Sequence, residues 1–321
     1  MTNFLNNPIF NDEAKAREWV EAQVWANGVV CPHCGNADQE KVGQLDGKAH
    51  RSGLWKCYEC REQFTCTVGT VFERSKIPLT KWVAALFLMT ASKKGVSAHQ
   101  VHRMLGVSYK SAWFMMHRLR EAMRTGALSP LGGEGKIVEA DETYFGKRDV
   151  PHVSPQRGDR PRTKSGKRRN DRPIISLVER GGSVRSFHAA VADQYTVEKI
   201  VRENVARETR LMTDESKLYR NAKAFVASHE TIKHTAGEYV RGDITTNTIE
   251  SYFSVFKRGM RGVYQHCGEK HLHRYLAEFD FRYNLRAGLG VNDSERAEQL
   301  AKGIVGKRLT YRRPNGPGLL S

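Results

Sequence analysis

No stretch of the 321 residues approaches the roughly 18 consecutive apolar positions that a membrane helix needs, so no span and no membrane partner is expected. The first residues lack a basic region followed by an apolar stretch, which predicts a chain without a secretory leader. Internal repeats are absent too, which excludes a repeat array. Acid is scarce beside base: 35 Asp and Glu against 52 Lys and Arg leave a net charge of +17. Such a surface excludes an acidic protein and favours a polyanionic partner. Cysteine is also scarce. Of six, four fall into two Cys-x-x-Cys pairs, which in a cytosolic chain favours metal over disulfides. What remains is ordinary: 39% hydrophobic and 27% charged residues suffice for a sizeable core.

The length predicts two or three domains, and the pattern along the chain divides it further. The reading is an N-terminal helix over 1–27, a ribbon over 28–76, a helical segment over 77–126, a mixed-sheet domain over 127–290 and a basic tail over 291–321. The class is mixed α/β (α+β). Residues 12–26 read as an amphipathic helix with Asn11 as cap and Gly28 after its end. Residues 80–94 read as an apolar helix. Helices over 97–105 and 108–124, capped by Ser97 and Ser108 and joined at Gly106-Val107, fit a helix-turn-helix. After a linker over 126–135, KIVEADETYFG reads as a strand. A polar segment from Gly146 to Arg172 follows, holding ten Lys and Arg and three Asp. PIISLVER and SVRSFHAAVA form a hairpin. Then come a helix at TVEKIVRENVA, a strand at TRLMTDES, a helix over 216–228, a short strand at TIKHTA, and helices at 247–262 and 269–284. A mixed sheet flanked by helices follows from that order.

Three constellations carry chemistry. Cys31, Cys34, Cys57 and Cys60 form two knuckles, with 22 residues between Cys34 and Cys57. Two such turns can close a tetrahedral zinc site with no position left for water, so the zinc is structural. No hydrophobic run in the ribbon is large enough for an independent core, so metal supplies the missing folding energy. Cys66 reads as core, and His33 as a surface residue. On the second helix of the helix-turn-helix, Lys110, Arg118 and Arg120, with Tyr109, Trp113 and His117, could meet a duplex. A plain helical bundle fits the same residues. The third set is Asp141 in a strand, Asp214 ending another, and Glu250 on a helix. Carboxylates converging in this way make an oxygen site for two Mg²⁺, with Mn²⁺ as a substitute. Glu139, Glu142 and Glu215 compete for the same places. Lys257 lies two helical turns beyond Glu250 on the same face and can hold a phosphate.

The chain resembles the Asp-Asp-Glu transposases of the insertion sequence 1595 family. The matching stretches are CPHC with CYEC, VGTVFERSKIPL, ADETYFGKR, TDESKLY and TNTIESYFSVFKRGMRGVYQHCGEKHLHRYLAEFDFRYN, in the family's order. They cover roughly residues 15–313. The resemblance implies a zinc ribbon joined to a ribonuclease-H-like catalytic domain. It also implies that Asp141, Asp214 and Glu250 are catalytic carboxylates and that Lys257 is the basic residue after them. Some members of this pattern use Asn as the third residue, and Asn247 stands one turn before Glu250; a third anion better balances two cations, which favours Glu250. The polar segment becomes an insertion in which Lys167, Arg168 and Arg169 can meet DNA phosphates, as can Arg258 and Arg261 after the catalytic helix. His266, His271 and His273 read as packing or phosphate contacts. The implied activity is binding of terminal inverted repeats, 3′-end cleavage and strand transfer into double-stranded target DNA. The pairing of two ends implies a homodimer or larger synaptic assembly in the cytoplasm, at the nucleoid.

Two other classes compete. A zinc-dependent DNA-binding regulator derived from such an enzyme needs only the first 125 residues. A tyrosine recombinase would use His271, Arg274 and Tyr311 without metal, but no upstream Arg site matches it.

Overall fold

The structure, a computed structural model, describes residues 6–124, 126, 128–147 and 171–310. Lys167, Arg168, Arg169, Tyr311, Arg312 and Arg313 lie outside the described residues. In chain order the elements are α1 (Glu13–Val24), β1 (Val42–Gln44), β2 (Trp55–Cys57), β3 (Gln63–Phe64), α2 (Leu79–Ala91), α3 (Ala98–Leu105), α4 (Tyr109–Met123), β4 (Ile137–Lys147), β5 (Asp171–Glu179), β6 (Val184–His188), α5 (Gln194–Asn204), β7 (Arg210–Asp214), β8 (Ser228–Ile232), α6 (Asn247–Gly259), α7 (Leu272–Asn284) and α8 (Asp293–Lys302). They fall into two units. Gly126–Gly290 form one, and the residues before and after form the other.

In the flanking unit, α1 starts one residue later than expected. The cap is Asp12, whose carboxylate accepts from the amides of Ala14 and Lys15, while Asn11 closes a preceding 3-10 turn. Strands β1, β2 and β3 form a small antiparallel sheet over Cys31, Val42, Cys57 and Phe64. Helix α2 has no side-chain cap of its own, and Glu13 supplies one by accepting from the amides of Leu79 and Thr80 at 2.8 and 3.2 Å. Ser97 and Ser108 cap α3 and α4 as the sequence predicts, and Gly106 takes a left-handed φ of 59° in the turn between them.

The C-terminal reading needs correction. Residues 291–321 read as a basic tail, yet Asp293–Lys302 form α8, started by a reciprocal capping box between Asn292 and Glu295. Its buried face, Ala297, Leu300 and Ala301, packs in this unit, and Arg296 donates to the carbonyl of Thr90 at 3.0 Å. Farther on, Gly306 donates to Gly69, and the Lys307 ammonium satisfies the carbonyl of Ala122 at the end of α4 at 2.8 Å. Part of the basic stretch is therefore spent on helix-end carbonyls.

The other unit is built on a five-stranded sheet in the order β6-β5-β4-β7-β8. Strands β4, β5 and β6 are antiparallel, and β7 and β8 run parallel to β4. Three meandering strands followed by two crossovers on the far side of the first strand give the ribonuclease-H-like arrangement. Alternation sorts the two faces. Val138, Ala140, Ile175 and Leu177 pack with α5 residues Val197, Ile200 and Val201. On the opposite face, Ile174, Val178 and Val184 pack with α6 and α7. Helix α6 buries Ile249, Tyr252, Phe253 and Phe256, a spacing of three and four that leaves Glu250, Ser254 and Lys257 on its outer side.

Two expectations fail in this unit. Residues 216–228 form two 3-10 turns, Lys217–Tyr219 and Ala222–Ala224, in place of a helix. The last strand begins earlier than TIKHTA, at Ser228, and His234–Ala236 form a 3-10 turn. Burying Tyr219 and Ala222 against the sheet settles this stretch, at the expense of regular helical hydrogen bonds.

Candidate active site

Strand register brings the first two acids together. Strands β4 and β7 pair as Ile137 with Arg210, Val138 with Leu211 and Glu139 with Met212, and there the ladder ends. Continued by two residues, the same register sets Asp141 opposite Asp214, where the strands no longer bond. Glu142 joins them, so that one oxygen from each of Asp141, Glu142 and Asp214 lies within 4.8 Å of the others. Local amides orient the group. The Glu142 amide donates to Asp141 Oδ1 at 2.7 Å, and the Ser216 amide to Asp214 Oδ1 at 3.0 Å. Ser216 Oγ donates to Glu142 Oε1 at 3.2 Å.

The group is electrostatically uncomfortable. Burial, then the carboxylates of Glu142 and Asp214, push Asp141 up to about 8. Burial and the charge of Asp214 raise Glu142. Burial raises Asp214 as well, and the neighbouring carboxylates add to it. Like charges held together out of water favour the protonated form unless a cation balances them.

Glu250 stands on the first turn of α6, outside the tight group. Its carboxylate accepts from Thr246 Oγ1 at 3.2 Å and lies 3.5 Å from His234 Nε2. It is close enough to raise both Asp141 and Asp214. The third expected acid therefore faces the pair from a neighbouring helix, while Glu142, a competitor in the sequence, occupies the position beside them. The other two competitors are engaged elsewhere. Glu139, fully buried, accepts from Arg180 Nε at 2.6 Å, Thr248 Oγ1 at 2.9 Å and the Ile249 amide at 2.9 Å. Arg180 also donates to the carbonyls of Asp243 and Thr245. This pair ties β4 to the start of α6, a link that sequence spacing does not show. Glu215 accepts from the amides of His234 and Thr235.

Asn247 is exposed at the start of α6, its amide donating to Thr245 Oγ1 at 3.1 Å. Lys257 is half-buried, with its ammonium 6.0 Å from the centre of the Phe253 ring. Arg258 and Arg261 are exposed, and Arg258 donates to the Ser254 carbonyl.

In the flanking unit Lys110 is exposed near the start of α4. The expectation for Arg118 and Arg120 is corrected: both are buried, at 8% and 2% exposure. Arg118 donates to the carbonyls of Val71, Glu73 and Leu309. Buried residues run without a break from Met115 to Arg120, more than a full helical turn, so α4 is covered all round there and takes His117, Arg118 and Arg120 with it. Tyr109 and Lys110 lie where α4 leaves the core.

The four cysteine sulfurs lie within 4.8 Å of one another, with Cys31–Cys60 and Cys34–Cys57 each 3.7 Å apart. A tetrahedron with arms of ~2.3 Å has edges of about 3.8 Å, so the set fits zinc. Amides from the knuckles already face the sulfurs. The Cys60 amide, followed by other donors, brings Cys57 down to about 6. The residue after each knuckle turns left-handed: Gly35 has φ 78° and Arg61 φ 65°.

Comparison with known proteins agrees with this layout. A family model for an ISXO2-like transposase domain matches residues 130–284, and one for a transposase zinc-ribbon domain matches residues 11–63. The chain is 28% identical over 284 residues to an uncharacterized protein in transposable element ISH50 of Halobacterium salinarum, covering 85% of this chain and 91% of that one. Among solved structures it is similar to a chain of the simian T-cell lymphotropic virus intasome in complex with PP2A regulatory subunit B56 gamma. That match has a TM-score of 0.28 and 13% identity, over 56% of this chain and 63% of the other. The chain thus spans a little under two thirds of that relative. The Mos1 strand transfer complex matches with a TM-score of 0.17 and 11% identity, over 68% of this chain and 80% of the other. At these scores the structural likeness carries no weight, and the fold rests on its own strand order. The two family models match in the expected order, ribbon before transposase domain, and together they make the chain a member of the insertion sequence 1595 family of transposases.

Proposed function

We propose that the chain cuts the 3′ ends of its element and joins them to target DNA, using divalent cations held by Asp141, Asp214 and Glu250. The observation that carries this reading is the meeting of Asp141 and Asp214 at the open end of the β4–β7 ladder, with their charge uncompensated. The donor set fits Mg²⁺ or Mn²⁺: all-oxygen, anionic, and including a buried Glu142 Oε2 that makes no hydrogen bond. When bound, such cations activate an attacking oxygen and stabilise a leaving one in phosphodiester displacement.

The chain's own residues do the rest. Asp141 and Asp214 face one another from rigid strands, which fixes the spacing of the cation site. Glu250 approaches from α6, and the Glu139–Arg180 pair holds the start of that helix against the strand. Asn247 is the alternative third ligand on the same turn. Lys257, with Arg258 and Arg261, supplies positive charge along the outer side of α6, where a DNA phosphate can be held beside the acids. In the other unit, the four cysteines hold a structural zinc. The α3–α4 pair offers Lys110 and Tyr109 to the element's terminal repeats. Two ends must be paired, so the working form is a homodimer or larger assembly on DNA.

Strand transfer with purified protein tests this. The substrate is a labelled duplex carrying the element's ends, with Mg²⁺ or with EDTA, and with the Asp214→Ala chain in parallel. The expected joined product needs both the metal and Asp214, while Asp214→Ala still binds the ends. Joining in EDTA, or undiminished joining by Asp214→Ala, overturns the assignment.

A further inference from the structure

A tyrosine that the reaction does not require lies under the carboxylates. Tyr219 ends the 3-10 turn Lys217–Tyr219, five residues after Asp214. It is 1% exposed, packed in the core between the sheet and α5. Its hydroxyl and Glu142 Oε2 are both buried and have no partner at full hydrogen-bond geometry, yet the two side chains lie close enough to bear on one another. The carboxylates that bear on the hydroxyl are Glu142 first, then Asp141 and Asp214. Ser216 sets this arrangement. Its amide holds Asp214 Oδ1, and its hydroxyl both caps the turn that carries Tyr219 and holds Glu142 Oε1.

A buried hydroxyl without a partner is destabilising, and phenylalanine would fill the same core space without that cost. The group that could satisfy it is the unpartnered oxygen of Glu142. A neutral donor suits that place. It can hold a carboxylate in one orientation without adding the positive charge that would repel a cation. Ligating carboxylates are commonly held in this way, and the support sets how tightly the metal binds.

We infer that Tyr219 is a positioning residue of the carboxylate centre, whose hydroxyl holds Glu142 so that this carboxylate joins Asp141 and Asp214 in binding a divalent cation. The inference rests on the reading of these acids as a cation site. It adds Glu142 as a ligand and Tyr219 as its support.

The test is binding of Mn²⁺ alone to the full chain, read by the paramagnetic signal of free Mn²⁺, together with melting of the metal-free chain. The variants are Asp214→Asn, Glu142→Gln, Tyr219→Phe and the Glu142→Gln/Tyr219→Phe pair. Tyr219→Phe is expected to weaken Mn²⁺ binding by about 10-fold. It should melt at the same temperature as the parent or higher. The double variant should bind no more weakly than Glu142→Gln alone, because the hydroxyl acts through that carboxylate. Parent-like Mn²⁺ binding by Tyr219→Phe, with Asp214→Asn impaired, overturns the role of Tyr219 and leaves the cation site standing. A lowered melting temperature, or additive losses in the double variant, makes the hydroxyl a packing group and overturns it as well. If the parent chain shows no Asp214-dependent Mn²⁺ binding, the cation site itself fails, and the role of Tyr219 fails with it.

Discussion

The four-cysteine cluster and the carboxylate cluster both gather like-charged ligands within 4.8 Å, yet they are built in opposite ways. The cysteine site is local. Each half is one tight turn whose backbone amides face the sulfurs of Cys34, Cys57 and Cys60; Cys57 is brought down, while crowding of the sulfurs still raises Cys34 and Cys60. The carboxylate cluster is assembled from β4 and β7, far apart in sequence, with Glu250 of α6 outside the tight group, and few backbone donors reach it. Its charges are buried against one another, and its acids are pushed toward protonation. The ribbon has only a small core of its own beside its cysteines, whereas the carboxylates stand on strands with a large core behind them. That contrast suits a structural metal and a working one.

Removing a cysteine should break the comparison most severely. The ribbon's own core is four buried residues with a few flanking hydrophobics, too small to stand alone. Structural zinc in such modules is worth roughly 10–16 kcal/mol. Cys57→Ala is therefore expected to lose bound zinc and melt strands β1–β3, read by metal analysis and by amide exchange across Val42–Phe64. The sheet of the other unit should keep its protection. Loss of protection in both units would deny the ribbon its separate, metal-held fold.

The next largest effect should come from the buried link between strand and helix. Arg180→Ala leaves the fully buried Glu139 carboxylate with only Thr248 and Ile249 as donors. It also frees the carbonyls of Asp243 and Thr245. Breaking one partner of a buried pair costs about 3–5 kcal/mol. Melting should fall by roughly 10 °C at 2–4 °C per kcal/mol. Strand transfer should fall too, because the start of α6 loses its anchor. A Glu139→Gln/Arg180→Gln chain should recover part of the melting temperature, since no lone charge stays buried. If Arg180→Ala melts like the parent, the link is ornamental.

The same contrast explains what could be read in advance. The cysteine spacing, the serine caps of α3 and α4 and the hairpin of PIISLVER and SVRSFHAAVA are local signals, and the structure follows them. Asp141 stood out as an acid within a strand and Asp214 as one at a strand end, but their meeting depends on a register between strands that spacing alone does not encode. The place of Glu142 beside them needs that register and the strand's splay. Glu139 looked like a rival acid, yet its partner Arg180 lies across a hairpin. Arg118 and Arg120 differ from expectation because the apolar stripe of α4 suggests one open face, whereas burial from Met115 to Arg120 covers the helix all round. Helix α8 was missed, although Asn292 followed three residues later by Glu295 is a capping-box signature that its polar composition obscured.

A smaller effect is pH-dependent and differs in sign between the two states of the carboxylate site. Asp141 is raised from the ordinary carboxylate range to about 8, so the folded chain keeps a proton that the unfolded chain gives up. Its contribution to metal-free stability is full below about pH 4 and is lost as pH rises through about 8. Melting of the metal-free sheet unit should therefore fall between pH 6 and 9. Asp141→Asn should flatten that slope and raise melting at pH 8 by about 2–4 °C, while abolishing strand transfer. With Mg²⁺ present the order reverses, because the cation competes with the proton and binds more tightly as pH rises. A metal-free melting curve that climbs from pH 6 to 9 would contradict the strain assigned to this cluster.

The smallest effect tests whether the two knuckles are the same turn. Gly35 and Arg61 each follow the second cysteine of a pair, and both are left-handed, at φ 78° and 65°. An L side chain there costs about 1–2 kcal/mol, whereas glycine loses up to about 1 kcal/mol of that advantage to the freedom of the unfolded chain. The net preference for glycine is thus about 1 kcal/mol in both knuckles. A Cβ on Gly35 would meet nothing within 4 Å, and Arg61 is exposed, so packing does not blur either substitution. Because ribbon folding and zinc binding are one equilibrium, the effect should be read as zinc affinity by chelator competition. Arg61→Gly should tighten zinc by about 5-fold and Gly35→Ala should weaken it by a similar factor, about 1 kcal/mol each way. Equal and opposite shifts would mean that the second knuckle carries strain the first avoids. A loss on Arg61→Gly would mean that the arginine side chain supports the turn, and the two halves of the zinc site would then not be equivalent.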